Sequence, residues 1–231
     1  NLNKRQILDH VSLKLQEGKI YGLVGNNGSG KTMLMKCVCG FIHPTSGIVL
    51  ADEKVIGKDV DYLPDAGVII ETPGFISYYS GLQNLKVLAG IKNKIDNSQI
   101  RDAMKRVGLD PDLKLPVKKY SLGMRQRLGL AQAIMESPSV LILDEPMNGL
   151  DKNGVEEIRQ LLLSMKNDHK TIVIASHNAE DIQVLCDEVY EMGNGKLEVI
   201  PSMMDTQHQQ LYPEDLIIPV YRQPHRKNRI M

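Results

Sequence analysis

The stretch "GNNGSGKT", residues 25–32, decides the fold that this sequence predicts. It matches the phosphate-loop pattern of glycine, four residues, glycine, lysine and serine or threonine. The preceding run "KIYGLVG" predicts a strand, and the largely apolar residues 30–41 predict a helix. A chance glycine-rich turn is the alternative, and the flanking strand and helix argue against it. The sequence therefore predicts an α/β protein with a nucleotide site at this loop.

Each part of the loop has a chemical task. Its three glycines allow backbone angles that other residues resist, so that successive amides can point at phosphate oxygens. Lys31 is expected to reach the β- and γ-phosphates, and the Thr32 hydroxyl is an expected Mg²⁺ ligand. The residues expected to bind the nucleotide are Gly25, Asn26, Asn27, Gly28, Ser29, Gly30, Lys31 and Thr32.

A second apolar run, "VLILDE" (140–145), predicts a buried strand that ends in two carboxylates. Adjacent carboxylates repel each other, so the pair needs a reason. Asp144 is expected to hold Mg²⁺, directly or through water, and Glu145 to face the attacking water. His177 follows another strand pattern, "TIVIAS", and ligands bind at the carboxyl ends of parallel strands. A surface-loop histidine is the alternative for His177.

Strands and helices alternate along much of the chain, which favours a mostly parallel sheet. Residues 7–15 carry apolar side chains at every second position and predict a half-buried strand. Residues 47–56 predict a hairpin that turns at Asp52 and Glu53. Together they predict an antiparallel β subdomain near the N-terminus.

The predicted organisation is a single domain, 1–231. Residues 1–71 and 139–200 form a P-loop NTPase core, and residues 72–138 form an inserted helical subdomain. Residues 201–231 are expected to be a C-terminal tail. The element "YSLGMRQR" (120–127) lies in the insert and opens a helix predicted for 122–135, which Ser121 is suited to cap.

Composition excludes some classes of function. Lysine plus arginine equals aspartate plus glutamate at 28 each, so there is no electrostatic case for a nucleic-acid partner. No apolar run approaches the roughly 20 residues of a membrane span, and no signal peptide is recognisable. Cys37 and Cys39 lie two apart on a predicted helix, where they share no face, so buried small side chains are expected rather than a metal pair.

The phosphate loop, the serine–glycine element, the Asp–Glu strand and the histidine, in this order, resemble the ATP-binding cassette (ABC) ATPases. The resemblance covers the chain from about residue 7 to residue 200. Ser121 and Gly123 match the family signature Leu-Ser-Gly-Gly-Gln. The positions that depart from it are Tyr120, Leu122 and Met124. "NGLD" (148–151) is similar to the family's D-loop, and His177 matches its switch histidine.

This resemblance implies ATP hydrolysis with Mg²⁺ by two domains that face each other head to tail. Ser121, the Gly123 amide and the start of the following helix would bind the γ-phosphate held by the phosphate loop of the other chain. A serine-capped helix N-terminus suits that anion, and simple capping is the alternative use of Ser121.

Glu71, in "VIIETPGF", stands where the family usually has glutamine. The variant resembles the bacitracin- and lantibiotic-resistance branch of exporter ATPases. Glutamate is expected to ligate magnesium or orient water, and it adds a negative charge beside Glu145. The family's adenine-stacking aromatic would fall near Leu2, where no aromatic residue occurs.

The resemblance implies a cytosolic subunit, peripheral on the cytoplasmic face of the membrane, that drives a separate transmembrane permease and exports a peptide antibiotic or similar amphiphile. Alternatives are a soluble ABC ATPase of translation or DNA repair, which usually carries two cassettes or a long coiled coil, and a P-loop kinase. Phe75, Tyr78 and Tyr79 suggest a docking surface for the permease, and packing under the helical subdomain is the alternative.

Overall fold

A six-stranded sheet forms the centre of the protein, in a computed structural model that describes residues 6–200. The strand order is β4-β5-β6-β1-β7-β8. All neighbours pair in parallel except β7 and β8, which form an antiparallel hairpin. The mostly parallel α/β sheet is the predicted one. The strands are β1 (Ile20–Val24), β2 (Leu50–Ala51), β3 (Lys54–Val55), β4 (Ala66–Ile69), β5 (Val140–Asp144), β6 (Thr171–Ala175), β7 (Glu188–Gly193) and β8 (Lys196–Ile200).

Helices cover both faces of the sheet. They are α1 (Lys31–Cys39), α2 (Gly81–Lys92), α3 (Asn97–Arg106), α4 (Leu122–Ile134), α5 (Lys152–Asn167) and α6 (Ala179–Leu185). Strand β5 is apolar over residues 140–143 because both faces of a parallel strand are buried. Val140 and Ile142 enter the core on the side of α1, whereas Leu141 and Leu143 enter the core on the side of α2–α5.

Helices α2–α4 lie between β4 and β5 and begin at side-chain caps. Ser80 and Gln83 form a capping box at the start of α2. Asp96 and Gln99 form a second one at α3. The three helices share one apolar core with the sheet, in which Leu85, Met104 and Leu128 lie with Leu141. The helical insert is therefore packed onto the sheet through a continuous core.

The predicted strand at residues 7–15 is wrong. The segment is extended and its alternation is real, since Val11, Leu13 and Leu15 are buried, but it is not a strand of either sheet. Period-two burial needs only one apolar side, whereas a strand also needs a partner backbone. The antiparallel β subdomain is reduced to β2 and β3, joined by the predicted turn at Asp52 and Glu53, both with positive φ.

The cysteines behave as small apolar residues. Cys37 and Cys39 are buried in α1, and burial raises the pKa of Cys39 to about 12. Burial likewise raises the pKa of Cys186 to about 12. No group of three or more His, Cys, Asp or Glu side chains within residues 6–200 forms a metal site. The interpretation of Cys37 and Cys39 as buried residues is confirmed.

Residues 201–231 and the position near Leu2 lie outside the described residues. The predicted tail and the missing adenine-stacking aromatic therefore stay predictions. Within the described range, no helix combines the length and apolar character of a membrane span.

Candidate functional site

The phosphate loop connects β1 to α1 and requires glycine at its first position. Gly25 has φ 136°, and a Cβ there would lie 2.3 Å from the carbonyl oxygen of Met192. Gly30, with φ 117°, immediately precedes α1 and accepts its first backbone hydrogen bond from Leu34 at 2.8 Å. The loop thus delivers the positive end of α1 to the edge where the parallel strands end.

Lys31 folds back over the loop that precedes it. Its Nζ donates to the carbonyl oxygens of Gly25, at 2.6 Å, and Asn26, at 3.2 Å. The residue is 9% exposed, so its charge is held inside the loop rather than in solvent. A cation fixed at this point suits the phosphates of a nucleotide.

Thr32 and Asp144 meet across 112 residues of sequence. The Thr32 hydroxyl donates to Asp144 Oδ2 at 2.8 Å, which places two hard oxygen donors side by side at the tip of β5. Hydroxyl and carboxylate oxygens are the ligands that Mg²⁺ prefers, and Mg²⁺ at nucleotide sites takes few protein ligands besides phosphate oxygens. These two residues therefore fit the ion that the sequence predicts.

Glu145 and His177 lie close together just past the carboxyl ends of β5 and β6. The backbone NH of Glu145 donates to the carbonyl oxygen of Ala175 at 2.9 Å, and φ at Glu145 is 51°. Its Oε2 lies 2.8 Å from His177 Nδ1. Asp144 and Glu145 are thus separated, one toward the phosphate loop and one toward the histidine.

Glu71 has a partner that sequence reasoning missed. Its Oε1 lies 2.6 Å from Lys36 Nζ, on the turn of α1 that follows Thr32. The cation offsets the extra negative charge that Glu71 brings to this edge. The available signal was that Lys36 stands four residues after Thr32, and residues four apart share a helix face.

A cleft of about 570 Å³ joins these groups. It is lined by the phosphate loop, Lys36, Glu71 and both carboxylates, and on the far side by Leu122, Arg125 and Gln126 of α4. Ser121, Gly123 and His177 do not line it, although Leu122 of the serine–glycine element does. The cleft therefore brings together most of the predicted site residues but not these three.

The serine–glycine element caps α4 and touches the loop after β5. Ser121 Oγ accepts from the Met124 backbone NH at 3.1 Å, as predicted for a cap. A Cβ on Gly123 would lie 2.7 Å from the carbonyl oxygen of Gly149. Close approach of two backbones therefore explains the glycine at position 123.

Gln126 is a second residue that the sequence analysis missed. Its Nε2 donates to the carbonyl oxygens of Glu145, at 3.1 Å, and Pro146, at 3.0 Å. Helix α4 is thereby fastened to the segment that carries Glu145. An amide one turn into the helix, following a serine cap, was the only sequence signal for it.

The aromatic loop divides between the two expected roles. Phe75 packs against the core under α2–α4. Tyr78 and Tyr79 are 76% and 41% exposed, and Lys118 Nζ lies 4.9 Å from the centre of the Tyr78 ring. Packing accounts for Phe75, and only the two tyrosines stay candidates for docking.

Comparisons with known proteins agree with this geometry. The ABC transporter family model matches residues 8–148. An uncharacterised ABC transporter ATP-binding protein of Bacillus subtilis, YybJ, is 43% identical over 85% of this chain and 90% of its own length. The bacitracin transport ATP-binding protein BcrA of Enterococcus faecalis is 40% identical over 83% of this chain and 63% of its own length. The lantibiotic transport ATP-binding protein SrtF of Streptococcus pyogenes is 38% identical over 84% and 83%.

The fold is also that of solved cassettes. The ATP-binding cassette MJ0796, solved in a dimeric post-hydrolysis state with ADP and phosphate, superposes with a TM-score of 0.76. It is 21% identical, over 85% of this chain and 92% of its own. The alternatives in translation, DNA repair or phosphotransfer are not favoured by these relatives. The chain therefore belongs to the ABC transporter family, as an ATP-hydrolysing nucleotide-binding subunit.

Proposed function

We propose that this subunit powers export of a peptide antibiotic or a similar amphiphile through a separate transmembrane permease, from a peripheral position on the cytoplasmic face of the membrane. The observation that carries the proposal is the 40% identity to a protein of bacitracin transport, together with 38% identity to one of lantibiotic transport. We expect no nucleic-acid partner, because the net charge is zero.

The phosphate loop, residues 25–32, would hold the triphosphate of ATP through its amides and Lys31. Thr32 and Asp144 would hold Mg²⁺, which when bound draws negative charge from the phosphate oxygens. Glu71 is a further candidate ligand, in competition with its present partner Lys36. The 2.8 Å contact between Thr32 and Asp144 supports the first two assignments.

Glu145 is the proposed general base. It lies beside the phosphate cleft and can take a proton from water, which typically contributes about 10²–10⁴-fold to a rate. His177, 2.8 Å from Glu145 Oε2, would orient that carboxylate and the terminal phosphate. Glu71 is the proposed second water-orienting group.

A second ABC subunit, identical or different, would complete each site. Ser121 and Gly123 do not line the cleft of their own chain, so they are available to a nucleotide on a facing chain. In this arrangement the core, residues 1–71 and 139–200, carries the phosphate loop, and the helical subdomain, 72–138, presents the signature to the partner.

The export proposal is tested in the organism that carries the chain. A tagged Glu145→Gln subunit, which should retain ATP, is recovered from native membranes and its partners are identified. We expect an integral membrane permease, and disruption of the gene should raise sensitivity to a peptide antibiotic of the bacitracin type. Recovery with ribosomes or DNA-repair proteins instead would overturn the proposal.

A further inference from the structure

A buried ion pair joins α5 to α6, the helix that begins two residues after His177. Arg159, on α5, and Asp181, on α6, are 6% and 3% exposed. Arg159 Nε and Nη2 both donate to Asp181 Oδ1, at 3.0 and 2.6 Å. Removing two charges from water costs free energy that their attraction often fails to recover, so a buried pair is a weak source of stability. Stability alone therefore does not explain why the pair is buried here.

The second oxygen of Asp181 is linked through Ser176 to the chain on either side of His177. Asp181 Oδ2 accepts from the Ser176 hydroxyl at 3.3 Å, and Ser176 Oγ accepts from the backbone NH of Asn178 at 3.1 Å. Ser176 is 3% exposed. One buried hydroxyl thus joins the residue before the histidine to the residue after it.

Few contacts restrain the side chain of His177. Its side chain is 74% exposed, and Glu145 Oε2 is its one hydrogen-bonding partner among the described residues. An exposed side chain samples several rotamers, and the backbone angles of its residue decide which of them are allowed. The direction of its Cα–Cβ bond is set by Ser176 and Asn178, and both are fastened by the same hydroxyl.

We infer that Asp181, held by Arg159, is a positioning residue that acts through Ser176 to aim His177 at Glu145. The inference rests on the proposed role of His177 in ATP hydrolysis. The chain of contacts runs from α5 through α6 to the loop after β6. It leaves the phosphate loop untouched, so its loss should affect the chemical step rather than ATP binding.

Ser176 offers the sharpest test, because its replacement breaks the link without leaving a buried charge alone. Misplacing a catalytic group by about 1 Å can cost about 10²-fold. We expect Ser176→Ala to lower kcat by about tenfold or more, with KM for ATP unchanged. Ser176→Thr, which keeps the hydroxyl, should restore kcat. Asp181→Asn should act in the same direction as Ser176→Ala.

Glu180→Gln is the matched control. Glu180 Oε2 also pairs with Arg159 Nη2, at 3.0 Å, but its side chain is exposed and makes no hydrogen bond to Ser176. This variant should keep kcat. Loss of activity in Glu180→Gln equal to that in Ser176→Ala would mean that any disturbance near Arg159 has the same effect, and would overturn the inference.

A second readout follows the imidazole directly. The His177 ring signals in the NMR spectrum of the full chain, assigned by their loss in His177→Gln, should shift in Ser176→Ala and return in Ser176→Thr. Unchanged ring signals in Ser176→Ala, or a fall in kcat matched by weaker ATP binding, would contradict positioning. If His177→Gln keeps full activity, the proposed catalytic role of His177 fails, while the ring signals still decide whether Ser176 positions it.

Discussion

Asp144 and Glu145 are adjacent in sequence but bind different partners. The Asp144 carboxylate accepts from Thr32, and the Glu145 carboxylate contacts His177. A φ of 51° at Glu145, uncommon for a residue other than glycine, turns the second carboxylate away from the first. Such a conformation costs about 1–3 kcal/mol and persists only where its surroundings enforce it. The hydrogen bond to Ala175 is one such restraint.

Glu145→Gln should remove turnover and keep ATP binding. The amide retains the size of the side chain but cannot accept the proton of the attacking water, and loss of a general base typically costs about 10²–10⁴-fold. Steady-state ATPase assays and equilibrium ATP binding measure the two effects separately. Near-normal hydrolysis in this variant would remove Glu145 from the role of base.

Asp144→Ala should behave differently. It removes the oxygen that lies beside Thr32, so we expect magnesium-dependent ATP binding itself to weaken. Titration with a fluorescent ATP analogue, with and without Mg²⁺, measures this. Equal affinities in both conditions for the variant, with a clear difference for the parent chain, support the assignment. An unchanged Mg²⁺ effect contradicts it.

Glu71 and Lys36 form an ion pair, and either residue can be replaced separately to test it. Glu71→Gln should keep ATPase activity and weaken the apparent affinity for Mg²⁺, whereas Lys36→Met should strengthen it. In the double variant, Lys36→Met should have little further effect, because the carboxylate that it would free is already gone. The side chain of Lys36 is 24% exposed and that of Glu71 is 64% exposed. Exposed ion pairs are worth about 0.2–1 kcal/mol. Each shift should therefore stay within about fivefold.

The Mg²⁺ dependence of ATPase activity and of ATP binding checks these shifts. A Glu71→Gln variant as inactive as Glu145→Gln would make Glu71 the chief base and reverse the assigned roles. Equal effects of Lys36→Met in the presence and absence of Glu71 would show that the two charges do not interact.

Strand β4 and helix α4 touch at a glycine. A Cβ on Gly67 would lie 2.0 Å from the carbonyl oxygen of Ala133 and 2.8 Å from Leu141 Cδ2. Gly67→Ala should therefore lower the free energy of unfolding by at least about 1–3 kcal/mol, the usual cost of overpacking. It should also displace the helix that carries Ser121 and Gln126. Denaturant unfolding and ATPase assays measure the two consequences.

Gly90→Ala is the control for Gly67→Ala. Gly90 lies in α2, and a Cβ there would meet no atom within 4 Å. The replacement should raise the free energy of unfolding by about 0.5–1 kcal/mol, because alanine is the better helix former. A destabilised Gly90→Ala protein, or an unaffected Gly67→Ala protein, would contradict this account of the β4–α4 contact.

Elements whose signals are local were predictable from the sequence. The cap at Ser121 and the turn at Asp52 and Glu53 depend on neighbours within a few residues, and both are confirmed. The strand predicted for 7–15 failed because its ladder depends on a backbone distant in sequence. Period-two burial says nothing about such a partner.

The positions of Lys31 and His177 beside strand ends were predictable because a motif or a strand pattern marks them, and their roles in the site stay predictions. Pairs outside the motifs were not predictable, because nothing local joins them. Lys36 and Glu71 are 35 residues apart, and Arg159 and Asp181 are 22 apart. A charge of either sign on a helix is usually solvated, so only the fold shows which charges meet.

At the scale of the whole molecule, the site should be shared between two chains. If Ser121 works across an interface, each site combines Lys31 of one chain with Ser121 of the other. Lys31→Ala should be inactive because the phosphates lose their cation. Ser121→Arg should be inactive because bulk and charge block the start of α4. A mixed dimer then has one site with both defects and one site with neither.

Mixing the two inactive proteins should therefore restore some ATPase activity. A site built within one chain predicts no rescue, since every chain carries a defect. Light scattering of Glu145→Gln in saturating ATP supplies the second measurement, and we expect a dimer. No rescue together with a monomeric Glu145→Gln protein would reduce Ser121 to a helix cap and remove the dimeric mechanism.

The close approach of Gly123 to Gly149 has a kinetic consequence. The signature glycine touches the same loop that leads back to Glu145, four residues before Gly149. If Gly123 contacts the nucleotide of the facing chain, occupancy of that site pushes on the backbone next to this chain's own base. ATP binding at one site then affects the other, and the ATPase rate should rise with ATP concentration along a sigmoidal curve. The Hill coefficient should lie between one and two, and Gly149→Ala, which meets Leu122 at 2.5 Å, should bring it toward one.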